Sequence, residues 1–138
     1  MKRLTSRKGA AATELAIMLP VLIVLCLAGI DMGRHAQTAM TLANASRVGA
    51  EWGSGRRVTS YTYSSWEADV KAIVLEELAN TPDFNASDAT VTVTKTSSTY
   101  VTPVITVEVS YPFKTIVSWP FIPQSLMLTR RVAMCEYR

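Results

Sequence analysis

The segment that decides the fold is residues 7–31, RKGAAATELAIMLPVLIVLCLAGID. From Ala10 to Ile30 it has 21 residues, and Glu14 is its one ionisable side chain. As an α-helix this stretch would be about 31 Å long, at about 1.5 Å per residue, which matches a bilayer core of about 30 Å. The sequence therefore predicts one membrane-spanning helix over residues 10–30.

The charge of the chain is concentrated before this segment. The formal net charge of the 138 residues is +3, and four of the 14 basic residues are Lys2, Arg3, Arg7 and Lys8. The remaining 10 basic residues face 11 acidic ones, so the pI of about 9.0 does not indicate a nucleic-acid partner. By the positive-inside rule the basic leader stays in the cytoplasm, and the chain from Asp31 onward is exported.

Glu14 is unexpected in a membrane-seeking segment, because a carboxylate costs a few kcal/mol near the bilayer centre. It either has a functional partner or reaches the headgroups from its place one turn inside Ala10. Two ordinary interpretations of the segment also remain open. One is a secretory signal cut after Ala28, which would release a soluble binding domain. The other is an uncut signal-anchor that holds a periplasmic scaffold.

Two motifs carry a resemblance to a known family. KGAAATELAIMLP, residues 8–20, resembles the class III signal of type IV pilins and pseudopilins. GAAATELAIMLPVLIVLCLAGIDMGR (9–34) and LANASRVGAEWG (42–53) are similar to the TadE-like minor pilins of the Tad, or Flp, adhesive pilus. Leu15 departs mildly from that pattern, which often has an aromatic residue after the glutamate.

The resemblance implies how the segment is processed and what it assembles with. A prepilin peptidase would remove the leader, residues 1–9, by cutting between Gly9 and Ala10, and Glu14 would become the fifth residue of the mature chain. Glu14 would then pair with the new ammonium of Ala10 on a neighbouring subunit and fix the register of assembly. The other implied partners are the major pilin, another minor pilin, the inner-membrane assembly platform and membrane lipid. The protein would reside in the bacterial inner membrane and, after assembly, in the pilus.

The helix is expected to continue outside the membrane over residues 31–53. Pro20 predicts a kink in the span, because proline removes a backbone donor and crowds the preceding turn. Beyond the span, small residues recur at steps of three or four and predict a stripe for close helix packing. The members of this stripe are Ala36, Ala39, Ala43, Ser46 and Ala50.

Residues 54–138 are expected to form a small exported head. After a glycine- and serine-rich break at 53–65, a capping box of Ser64 and Glu67 predicts a helix that Pro82 ends. Alternating residues then predict three strands, at 89–96, 101–111 and 125–137. The predicted fold is therefore α+β: a long N-terminal transmembrane helix, one further helix and a roughly three-stranded antiparallel sheet.

The segment before the last strand, residues 111–124, contains three prolines and several aromatic residues. It predicts either a lid on the head or a loop that presents Trp119 and Phe121 to a partner. No nucleotide-binding, zinc-protease, hydrolase or redox motif occurs, and the chain has one histidine and two distant cysteines. We therefore expect no catalytic site, no metal and no cofactor, and a function in protein assembly.

Overall fold

The computed structural model describes residues 7–81, 84–98, 101–118 and 123–136. Helix α1 runs from Arg7 to Ser54 and helix α2 from Tyr63 to Ala79. A 3₁₀ turn at Ala86–Asp88 leads into strand β1, Thr90–Ser98, which is followed by β2, Val101–Lys114, and β3, Ser125–Cys135. The strands form one antiparallel sheet in the order β1-β2-β3. The predicted α+β architecture is confirmed.

The helix α1 passes without interruption from the apolar segment into the head. Pro20 lies inside it, and the helix continues on both sides of this residue; the kink stays a prediction. Around Asp31 its environment changes. Residues 9–26 are exposed along their whole length, whereas from residue 31 onward one face of the helix is buried. A single helix therefore has two parts. Residues 9–26, which we call the apolar rod, have no covering neighbour in the described chain, and the later residues contribute to the core of the head.

The core of the head lies between the two helices and one face of the sheet. Every second residue of β2 points into it, as the period of a strand requires. The buried core residues are Leu42, Ala45 and Ala50 from α1, Trp66, Val70, Val74 and Leu78 from α2, and Val93, Ile105, Val107 and Val109 from the sheet.

The central strand β2 carries two prolines, which a central strand rarely tolerates. β1 pairs with β2 as far as Ser110, so Pro112 lies where only β3 is a neighbour. Pro103 lies beside the register shift between Thr96 and Ser98 in the β1–β2 pairing, and its carbonyl accepts a hydrogen bond from the Glu136 amide over 2.8 Å. Each proline thus lies near an end of β2, at a position without a regular pairing partner in β1. This explains why the strand extends past its predicted end at residue 111.

The predicted capping box of α2 is wrong. The helix begins at Tyr63, after Thr62, and no side chain caps its N-terminus. The chain enters through a turn in which the Thr62 amide donates to the Thr59 carbonyl over 3.1 Å, so Ser64 already lies inside the helix. Glu67 instead pairs with Lys71, one turn later, at 2.6 Å.

A largely buried ion pair closes the end of the head that is farthest from the apolar rod. Lys95 Nζ lies 2.9 Å from Glu136 Oε2, and their side chains are 12% and 11% exposed. The same ammonium donates to the Val58 carbonyl over 3.3 Å. The pair therefore ties β1, the end of β3 and the connection between the helices together. Because both groups have hydrogen-bond partners, the cost of their burial is largely offset.

Two glycines allow α1 to approach α2 closely. A Cβ atom on Gly49 would overlap Val74 Cγ2, a branched side chain that is itself fully buried. A Cβ on Gly53 would lie 3.2 Å from Trp66 Cζ2. The Trp66 indole N–H donates to the Gly53 carbonyl over 3.3 Å, which fixes the two helices at this distance.

The contact at Gly49 predicts opposite effects for the same substitution at two places on α1. Gly49→Ala should lower the free energy of unfolding by about 1–3 kcal/mol, because the added methyl overpacks the core. Gly33→Ala is the matched control: nothing lies within 4 Å of its Cβ position, so it should raise stability by about 0.5–1 kcal/mol through helix propensity. Urea unfolding of the full chain in detergent micelles, followed by tryptophan fluorescence, measures both. A Gly49→Ala protein as stable as the parent would contradict the packing described.

Candidate functional site: the exposed helix and its junction with the head

The apolar half of α1 is covered by nothing in the described part of the chain. Nine large apolar side chains between residues 15 and 25 are 49–73% exposed: Leu15, Ile17, Met18, Leu19, Val21, Leu22, Ile23, Val24 and Leu25. The helix is long and apolar enough to cross a membrane, with a mean hydropathy of 2.5 over its most apolar window. Soluble monomers rarely expose an apolar surface of this extent, so it requires lipid or protein neighbours.

The residues predicted for processing and register lie at the start of this helix. Gly9 and Ala10 are exposed and belong to its first turn, where backbone amides lack intrahelical acceptors. The Thr13 hydroxyl donates to the Ala10 carbonyl over 2.8 Å. Glu14 is exposed, and its carboxylate has no ion-pair partner among the described residues. The chain therefore presents the Gly9–Ala10 bond and the carboxylate together, one turn apart, on an open helix surface.

The predicted small-residue stripe is divided between two environments. Ser46 and Ala50 are fully buried and Ala39 is nearly so, whereas Ala43 is half-buried and Ala36 is exposed. The face of α1 that docks on the head also includes residues that the stripe omitted: Leu42, Ala45, Gly49 and Gly53. These residues are three or four positions apart, which is the helical spacing that indicates a common face. Trp119 and Phe121 lie outside the described residues.

The junction of the rod with the head centres on Asp31. This carboxylate lies at the end of the apolar segment and is only 6% exposed. Its Oδ1 atom accepts a 3.0 Å hydrogen bond from the backbone N–H of Ile116, just beyond β2, and lies 3.6 Å from Arg34 Nη1. The same guanidinium nitrogen donates to the Lys114 carbonyl over 3.4 Å. Two α1 side chains, one turn apart, thus hold the end of β2.

Phe113 provides the apolar part of this junction. Its ring is nearly buried and lies between two α1 side chains. The His35 ring meets it edge-on at 5.4 Å, and the Arg34 guanidinium carbon lies 5.6 Å from its centre. Such contacts add to the polar bonds of Asp31. We refer to Asp31, Arg34, His35, Phe113 and Ile116 as the junction.

Two cavities flank the junction. The first, of about 220 Å³, is almost entirely apolar and lies between α1 and the ends of β2 and β3; its walls are Ala28, Asp31, Met32, His35, Phe113, Thr115 and Leu126. The Thr115 hydroxyl is buried without a hydrogen-bond partner among the described residues. The second, of about 360 Å³, is more polar, and Arg34, Asp88 and Lys114 lie among its walls. Within residues 9–136 as described, no cluster of three or more histidines, cysteines and acidic residues could hold a metal ion.

The exposed helix and the α1 side of the junction lie within a family match. Residues 9–51 match the model of the family described as TadE-like protein. The helix is TadE-like. The resemblance read from the sequence is confirmed over these 43 of the 138 residues. Together with the apolar helix, the match is consistent with a membrane-anchored protein associated with the Tad pilus system. Comparison with curated proteins and with solved structures found no match.

The TadE-like segment therefore includes the apolar rod, Glu14 and the α1 side of the junction. The remainder of the head, residues 52–138, lies outside the match. The N-terminal motif is evident in the sequence, whereas the junction is not. Asp31 and Arg34 belong to the TadE-like motif of residues 9–34. Their partners, Ile116 and Lys114, are 85 and 80 positions away in the chain.

Proposed function

We propose that the protein is a minor pilin, or pseudopilin, of a Tad (Flp) adhesive pilus, processed by a prepilin peptidase and active in assembly, initiation or tip decoration. One observation carries the proposal: the TadE-like match covers the helix whose apolar surface has no partner in the described chain. Such a helix suits two successive environments, the bilayer before assembly and the helices of other pilins after it. The work is protein–protein assembly rather than catalysis.

The chain would have four functional parts. Residues 1–9 are a cytoplasmic leader that the peptidase removes, and residues 10–30 span the inner membrane. Residues 31–53 extend the helix outside the membrane, and residues 54–138 form the exported head. The proposed partners are the prepilin peptidase, the major pilin, another minor pilin, the inner-membrane assembly platform and membrane lipid.

Glu14 would set the register of assembly. Removal of the leader creates an ammonium on Ala10, and an array of apolar helices would leave that cation and a lone carboxylate poorly solvated. Pairing Glu14 of one subunit with Ala10 of its neighbour satisfies both groups. Because a misaligned neighbour would leave both charges unpaired, the pair selects one axial offset more than it adds stability.

A neighbouring helix would also account for two exposed glycines. Gly29 and Gly33 are one turn apart on α1, and nothing lies within 4 Å of the Cβ position of either. A glycine inside a helix costs about 0.5–1 kcal/mol relative to alanine. The head of the same chain does not use these positions. Close approach by another helix does use such a pair, because the backbones can then come into contact.

The proposal predicts the N-terminus of the mature protein. Co-expression with a prepilin peptidase should yield a membrane-extracted chain that begins at Ala10, and a catalytically inactive peptidase should leave it uncut. Intact-mass measurement and N-terminal sequencing distinguish the outcomes. A chain beginning at Gly29 would indicate a secreted domain, and an uncut chain in the presence of active peptidase would indicate a plain signal-anchor. Either result would refute the proposal.

A second prediction concerns Glu14. Glu14→Ala should leave membrane insertion intact, since it removes a charge from the apolar segment, but should reduce recovery in sheared pili or in complexes with partner pilins by at least about tenfold, equivalent to about 1.4 kcal/mol. Glu51→Ala is the control, because Glu51 is an exposed glutamate at the other end of the same helix. Immunoblots of membrane and pilus fractions give the ratio. Equal recovery of both variants would show that the Glu14 carboxylate is incidental.

A further inference from the structure

The geometry of the junction points to a second membrane contact: we propose that the underside of the head, formed by Met32, Thr115, Ile116 and the apolar cavity beside them, rests in the interface of the outward-facing leaflet. The occupant of this surface is lipid. The inference rests on the proposed function only in taking residues 10–30 as the span.

The length of the apolar segment places the junction at the membrane boundary. The apolar stretch that ends at Ile30 is about 31 Å long as a helix, which is close to the hydrocarbon thickness of a bilayer. Asp31 therefore emerges at the level of the headgroups. Its 3.0 Å bond to the Ile116 amide holds the end of β2 at that level. Helix α1 ends at Ser54, about 35 Å farther from the membrane along its axis, at about 1.5 Å per residue.

The surface of the head at this level is apolar. Ile116 is 59% exposed and Met32 is 69% exposed, and between α1 and the sheet opens the cavity of about 220 Å³ whose walls are mostly apolar. An apolar surface that remained in contact with water at the membrane boundary would be unfavourable in free energy. The acyl-chain boundary of the leaflet lies at the same level and covers such a surface without a further partner.

Two backbone amides of this surface have acceptors within the protein. Peptide groups that reach the boundary of the hydrocarbon region need partners within the protein, because water becomes scarce at that depth. The Thr115 amide donates to the Gln124 carbonyl over 3.1 Å, and the Ile116 amide donates to Asp31. The Gln124 side-chain amide also donates to the Ser118 hydroxyl. One donor in the cavity, the Thr115 hydroxyl, has no partner among the described residues and is buried below the surface that lipid would cover.

The test measures depth at three positions of the full-length chain. Cys26→Ser and Cys135→Ser remove the native thiols, and a single cysteine is then introduced by Ile116→Cys, Tyr61→Cys or Leu22→Cys and labelled with an environment-sensitive fluorophore. Each protein is reconstituted in phosphatidylethanolamine–phosphatidylglycerol vesicles. Tyr61 is the matched control, because it is 95% exposed and lies in the connection at the far end of the head. Leu22 reports insertion of the helix itself.

The expected result is that iodide quenches the label at position 116 several-fold less than the label at 61, while lipids that carry a nitroxide near the headgroup quench it strongly. Equal iodide quenching at 116 and 61, with position 22 shielded, would overturn the lipid contact of the head but not the membrane insertion of the helix. Exposure of position 22 would overturn both. Shielding at 116 that disappears when the protein is diluted in lipid would identify a second copy as the occupant and overturn the inference.

Discussion

The hydrogen bond between the Ile116 amide and Asp31 is the interaction on which the arrangement of this protein depends. It is formed where the helix ceases to be apolar, and it joins that point to the end of the central strand. Burial of a carboxylate is costly unless charge-assisted hydrogen bonds replace its water. Here the Ile116 amide donates a hydrogen bond over 3.0 Å, and the Arg34 guanidinium adds an ion pair at 3.6 Å. Without this bond, the near end of the head would be held to the helix by the Arg34–Lys114 hydrogen bond and the packing of Phe113.

A second constraint follows from the use of one helix for two purposes. The N-terminal half of α1 must remain apolar and open, while the C-terminal half must be narrow enough for α2 and the sheet to pack on it. Small residues meet the second requirement, as at Gly49 and Gly53, where side chains of α2 occupy the space that a Cβ would need.

Much of this arrangement could be predicted from periodicity. The apolar run, the helical spacing of small residues and the alternation in the C-terminal half predicted the α+β architecture, and Val107 and Val109 lie in the core as alternation requires. Local signals failed where tertiary contacts decided the outcome. Ser64 and Glu67 matched a capping pattern, yet the preceding turn started the helix earlier. The predicted second strand ended at residue 111, yet β2 continues through Pro112 to Lys114, where β3 is its paired neighbour.

The candidate site was predictable only on the helix side. Asp31 and Arg34 are visible in the sequence as charged residues at the end of an apolar run, but neither spacing nor composition indicates Ile116 or Lys114 as their partners. The same holds for Lys95 and Glu136, which are 41 positions apart and form a largely buried pair. Such contacts arise from the order of the strands and from the angle at which α1 crosses the sheet, and neither property has a local signature.

The most direct test of the central claim is amide hydrogen exchange at Ile116 in the full-length protein, in micelles, for the parent chain and three variants. In Asp31→Ala the amide loses its acceptor, so its exchange should accelerate by about 10- to 150-fold, corresponding to about 1.5–3 kcal/mol for a hydrogen bond to a charged group. Asp31→Asn retains an acceptor oxygen and should accelerate exchange less, and Glu51→Ala should leave it unchanged. An Ile116 amide that exchanges equally fast in the parent and in Asp31→Ala would show that Asp31 does not hold the head.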